Sequence, residues 1–125
     1  MAGDPGFEIT ARPERRYPSA GGLEYEGGTR FDLDPTDAPE KPVADLVENV
    51  LATGPYRHGE FLELPMPFFL VRDDTTGDVF RVSVRDGTIR LHILPTTDSG
   101  GLRAFYDRLS SMTTTAWRVT RTVET

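Results

Sequence analysis

Apolar and polar residues alternate with a period of two over Val79–Arg85 and again over residues 88–94, with Asp86-Gly87 between the runs. Period two marks a strand with one buried face, and Asp-Gly between two such runs is a strong hairpin signal. A two-residue turn fixes the register. Arg85 faces Thr88, Val84 faces Ile89, Val82 faces Leu91 and Phe80 faces Ile93, so the large apolar residues share one face. The opposite face then pairs Ser83 with Arg90 and Arg81 with His92. A preceding strand over residues 61–72 joins through the turn Asp73-Asp74-Thr75-Thr76-Gly77-Asp78, with Arg72 opposite Val79. Val71 and Phe69 extend the apolar face, while Phe68 and Leu70 fall by parity on the polar one. Pro65 and Pro67, one residue apart, cannot both donate to a ladder, so the start of this strand is expected to lie at a sheet edge or to be frayed.

The period changes on either side of these strands. Val43, Leu46, Val47, Val50 and Leu51 form one helical stripe, which predicts a helix over residues 42–52 with Pro42 in its first turn. Gly54-Pro55 is expected to end it with a left-handed glycine cap. Leu102, Phe105, Tyr106, Leu109 and Met112 predict a second helix over residues 101–112, with N-caps offered by Thr97, Asp98 and Ser99. A last strand over residues 114–124 places Trp117, Val119 and Val123 on one face and Arg118 on the other. The order α-β-β-β-α-β predicts an α+β domain: an antiparallel sheet of about four strands with two helices on its apolar face.

Composition sets the N-terminal part apart from the rest. Residues 1–40 hold 11 Gly plus Pro and 12 hydrophobic residues, whereas residues 41–125 are rich enough in apolar side chains to build a core. The expectation is a Gly/Pro-rich acidic arm over 1–40 attached to a single α+β domain over 41–125. Leu23 and Tyr25, then Phe31 and Leu33, alternate with charged residues around Gly27-Gly28, which predicts a docked hairpin over residues 23–33.

The 125 residues carry a net charge of −6, with 13 Arg, a single lysine (Lys41) and no cysteine. These figures exclude a disulfide framework, a thiolate metal site and a cysteine nucleophile. The acidic balance argues against whole-surface nucleic-acid binding. Residues 1–10 show neither the basic start nor the apolar stretch of a secretory leader, and no run approaches a membrane span, so the expected location is the cytoplasm. Residues 24–48 alone account for a net −6, from eight acids and two bases.

The chemistry is concentrated on the polar face of the sheet. Arg81, Arg85, Arg90, His92 and Arg118, with Phe68 and Leu70 beside them, form a candidate binding surface for an anionic or acidic partner. The acidic segment 24–48 is expected to fold over this face, with Phe31 and Tyr25 covering Phe68 and Leu70. The Pro-Met-Pro-Phe-Phe edge offers a second surface, for a protein partner or for self-association as a homodimer. No catalytic motif, cofactor fingerprint or metal-ligand spacing is present. The 73–78 turn has the acids of a calcium loop without its frame, and Gly100-Gly101 is a weak anion seat. The reading is a small acidic binding module, adaptor, chaperone-like or regulatory. The alternative is a small enzyme or ligand sensor for an anionic molecule, using Tyr56, Arg57, His58 and Glu60 after the first helix.

Overall fold

The two alternating runs around Asp86-Gly87 pair with the register that the turn dictates, from Arg85 opposite Thr88 to Phe80 opposite Ile93. Asp86 and Gly87 both hold left-handed backbone, with φ of 52° and 77°, which matches the strands' own twist. In the computed structural model, which describes residues 7–9, 12–16, 24–39, 41–60 and 68–124, these runs belong to a larger set of elements. They are β1 (Glu14–Arg16), β2 (Glu24–Glu26), β3 (Gly28–Pro35), α1 (Val43–Thr53), β4 (Tyr56–Glu60), β5 (Phe68–Asp73), β6 (Val79–Arg85), β7 (Thr88–Ile93), α2 (Ser99–Met112) and β8 (Trp117–Glu124).

The main sheet has six strands in the order β4-β5-β6-β7-β3-β8, and every neighbouring pair is antiparallel. The class is α+β, as expected, with six strands rather than about four. The additional ones are β3 and β4. β3 comes from the segment read as an arm, yet it lies between β7 and β8, with Phe31 opposite Leu91 on one side and Arg121 on the other. The hairpin expected over residues 23–33 is corrected in the same way. β2 pairs with β1 in a separate two-stranded sheet, Tyr25 opposite Arg15, while Phe31 and Leu33 belong to the main sheet. The alternation identified the strand correctly, but a local turn rule chose the wrong partner for it.

The apolar edge expected at residues 64–70 is described only in its last three residues. Residues 61–67, which include the two prolines, lie outside the described residues. The strand that follows them, β5, is interior: Leu70 is opposite Gly59 of β4 and Arg81 of β6. The edges of the sheet are β4 and β8.

Both helices bury their stripes in a single core with the sheet. Val47, Val50 and Leu51 of α1 and Leu102, Phe105 and Leu109 of α2 are buried with Phe69, Val71, Phe80, Val82, Ile89 and Leu91. Phe7 joins them, its ring 5.2 Å from Phe31 and 5.6 Å from Tyr106. The α2 stripe stops one turn short of its expected end, because Met112 is 42% exposed. No described helix is long and apolar enough to cross a membrane.

The helix ends differ from the sequence expectation. Gly54 is extended (φ −88°, ψ 175°) rather than left-handed; its value is room, since a Cβ there would sit 2.5 Å from the Tyr56 ring. At the start of α2, Asp98 holds the cap position without a side-chain cap hydrogen bond. The orphan donors are taken by Asp78 instead, whose carboxylate accepts from the Gly101 N–H at 2.6 Å and the Asp98 N–H at 3.3 Å. The Thr97 hydroxyl donates to the Val79 carbonyl, and the Ser99 hydroxyl to that of Phe7. Asp78 thus fixes α2 to the end of the β5–β6 turn. It packs so closely that Gly101 leaves no space for a side chain.

Candidate binding face of the sheet

Strand parity places alternate residues of all six strands on the side away from the helices, and the register aligns them in rows. One row reads Leu70, Arg81, His92, Arg30 and Thr122 across β5, β6, β7, β3 and β8. The next reads Phe68, Ser83, Arg90, Asp32 and Thr120. Arg85 and Thr88 lie beyond it on one flank, with Asp34 and Arg118 on the other. Arg57 and Arg72, paired across β4 and β5, close the far corner. The expected set Arg81, Arg85, Arg90, His92, Arg118 and Leu70 is therefore on one face. Phe68 has the register position opposite Ser83, and its side chain lies outside the described set.

Three further arginines, Arg30, Arg57 and Arg72, share that face. Arg30 is not legible as a site residue in the sequence, because the segment carrying it has the composition of an arm. Arg57 sits in sequence within the Tyr56–Glu60 cluster of the enzyme alternative. The signal that could have found Arg30 is the strict alternation of residues 29–34, which puts Arg30, Asp32 and Asp34 together opposite Phe31 and Leu33.

The centre of the face is half-buried and cross-linked. Arg30 donates two parallel hydrogen bonds to Asp32, at 2.9 and 3.2 Å, and Arg90 Nε lies 4.0 Å from the same carboxylate. Ser83, buried although polar, shares a 2.9 Å hydrogen bond with His92 Nε2. Burial, with the charges of Arg30, Arg90 and Arg81 around it, lowers the His92 pKa to about 4 against the opposing pull of Asp32. His92 is therefore neutral at pH 7, and the positive charge of the centre is carried by guanidinium groups alone. The periphery is open to solvent: Arg57 is 78% exposed, Arg72 60% and Arg85 57%. Thr88 donates to Asp34 at 2.5 Å, and Leu70 is one of three exposed large apolar side chains among the described residues.

The acidic segment does not fold over this face as a cover in the way expected. Asp32 and Asp34 reach it from within the sheet, as residues of β3. Phe31 is fully buried in the core on the opposite side and covers neither Phe68 nor Leu70. The Tyr25 side chain lies outside the described set.

The residues of the enzyme alternative form edge strand β4. Tyr56, His58 and Glu60 occupy register positions opposite Asp73, Val71 and Phe69, whereas Arg57 is opposite Arg72. Alternation therefore separates Arg57 from the other three. Its guanidinium pairs with Asp74 at 3.3 Å, and the His58 and Glu60 side chains lie outside the described set. Tyr56 instead joins a network that sequence reading missed. Arg108 of α2 donates to its hydroxyl at 2.8 Å and lies 3.8 Å from the fully buried Asp73 carboxylate. Burial raises the Tyr56 pKa, outweighing Arg108. Burial would also raise that of Asp73, but hydrogen bonds from Thr75 and Thr76 and the Arg108 charge hold it below the usual carboxylate value. Asp73 thereby closes the β5–β6 turn, and Asp78 caps α2; these are structural tasks for the carboxylates of the calcium-like stretch. Compared with known families, curated proteins and solved structures, the chain matches no family model, no curated protein and no solved structure.

Proposed function

We propose that this protein is a small binding module of the cytoplasm, adaptor-like or regulatory, whose arginine face docks an acidic segment of a protein partner. One observation carries the reading. Seven arginines, Arg30, Arg57, Arg72, Arg81, Arg85, Arg90 and Arg118, collect on one face of a chain with net charge −6. Against Asp32 and Asp34 on the same face, seven arginines leave it strongly positive within a chain that is acidic as a whole. Guanidinium forks suit carboxylates, and the exposed outer arginines can reach a partner without breaking the half-buried centre. Leu70 supplies an apolar contact beside them.

The test is the binding of a fluorescent poly-glutamate peptide, followed by anisotropy at low and high salt. Arg85→Glu combined with Arg118→Glu, both at exposed positions, is expected to weaken binding by about tenfold or more and to flatten its salt dependence. Arg103→Glu on α2 is expected to leave binding unchanged. Equal weakening by the α2 variant, or none by the face variant, would overturn the assignment. Tighter binding of a single-stranded oligonucleotide through the same arginines would replace the acidic protein with a nucleic acid.

A further inference from the structure

We propose that the outer edge of β8 is the seam of a homodimer, in which two copies of β8 pair antiparallel about a two-fold axis at Arg121. The argument starts from the difference between the two sheet edges. β4 is five residues long and contains a glycine, as befits a protected edge. β8 runs for eight residues, pairs with β3 without a bulge from Gly28–Glu124 to Pro35–Trp117, and contains neither proline nor lysine. Among the described residues nothing pairs with its other side. The strand has none of the usual devices against edge pairing except its arginines, and their spacing suits a second copy.

Only some registers are possible. Helices must lie on the same side of the joined sheet, so each residue must meet one of its own parity. With the axis at Arg121, Arg118 meets Glu124, Val119 meets Val123 and Thr120 meets Thr122, each twice by symmetry. Shifting the axis to Thr120 sets Val119 against Arg121 and leaves Arg118 without an acid across the seam. Shifting it to Thr122 sets Arg121 against Val123 and leaves Arg118 and Val119 beyond the pairing. The Arg121 register alone matches charge with charge and valine with valine. It also uses Val123, which is 43% exposed on the helix side although Trp117 and Val119 of the same strand pack against the core. The two Arg121 side chains would meet at the axis. Each has an acid of its own chain at hand, with Arg121 Nη1 3.8 Å from the Glu8 carboxylate and 3.4 Å from the Glu8 carbonyl.

An axis perpendicular to the sheet puts both arginine faces on the same side of one continuous twelve-stranded sheet. The seam does not rest on the acidic-partner reading, although it engages Arg118 of that face, and would present such a partner with two adjoining copies of the remaining arginines.

The full chain is tested by sedimentation equilibrium and by cross-linking. A dimer is expected, and Glu124→Arg should weaken it by about tenfold or more, while Arg118→Glu combined with Glu124→Arg restores it. The chain has no cysteine, so Arg121→Cys provides a single thiol. At the axis it should oxidise to a disulfide-linked dimer, whereas Val119→Cys, which faces Val123, should not. A wild-type chain that stays monomeric at its highest soluble concentration overturns the proposal. So does a dimer indifferent to Glu124→Arg, or one whose cross-linking favours position 119. Circular dichroism of each variant separates lost pairing from lost folding. Peptide binding by monomeric variants shows whether the arginine face acts without the seam.

Discussion

On the helix side of the sheet Phe31, Phe80, Ile89 and Leu91 are fully buried; one residue along the same strands, Arg30, Arg81, Arg90 and His92 are only partly so. The first set needs little beyond size and burial, since dispersion and the hydrophobic effect carry no direction. The second needs placed partners. Arg30 is held by both oxygens of Asp32, and His92 rests on the hydroxyl of Ser83. The same backbone thus supports a face that sets stability and a face whose charges are arranged at some cost to it.

The comparison is broken most directly on β3, where the two faces are adjacent residues. Phe31→Ala removes a fully buried ring that touches Phe7. It is expected to cost about 3–5 kcal/mol in urea unfolding. An N-terminal arm merely resting on a finished domain would lose less than about 1 kcal/mol, within the range of ordinary surface substitutions. A loss that small would remove β3 from the core.

That strand also marks the limit of what the sequence discloses. Strands β6 and β7, helix α1 and the parity of β8 follow from signals within a few residues: a two-residue turn, a helical stripe, an alternation. The face assignment of Arg81, His92, Arg90 and Arg118 follows with them, because parity needs no knowledge of strand order. The partners of β3 are far away in sequence, β7 and β8, and nothing local distinguishes them from the nearer β2. The same holds for Asp78, which caps a helix 23 residues on in place of Thr97, Asp98 or Ser99. Propensity identifies elements, whereas long-range pairing is settled by which arrangement buries Phe31 and Leu33. Arg30 escapes the sequence reading for that reason, and Arg57 is grouped there with the wrong neighbours. Their chemistry was visible, but their neighbours were not.

The outer face has a pH signature that the core lacks. The unfolded His92 titrates near 6.5 and the folded one near 4, so between these values the unfolded chain binds the extra proton. Stability is therefore fully present above pH 6.5 and falls as the pH drops towards 4, by on the order of 2–4 kcal/mol. Asp73 contributes separately. Its folded pKa lies below the ordinary 3.8, so its share is lost only under more acidic conditions. His92→Gln, measured by urea unfolding at a series of pH values, is expected to lack the loss between pH 6.5 and 4. An identical pH profile for variant and wild type would show that His92 is not held neutral by its burial and the arginines around it.

The smallest effect separates the two faces most cleanly. Arg85 is 57% exposed, and Asp86, 4.0 Å away, is itself 94% exposed. An ion pair so open to water contributes little, because solvent screens it and two mobile side chains must be ordered to form it. Arg85→Ala is expected to shift unfolding by less than about 0.5 kcal/mol while weakening poly-glutamate binding several-fold. Phe31→Ala does the reverse per folded molecule, lowering stability and leaving affinity intact. If Arg85→Ala lowered stability as much as a core truncation, Arg85 would belong to the fold. The arginines would then be scaffolding rather than a binding surface. If it changed neither quantity, the binding surface would contract to the half-buried centre around Arg81 and Arg90, where removing charge without disturbing Asp32 and His92 is a harder experiment.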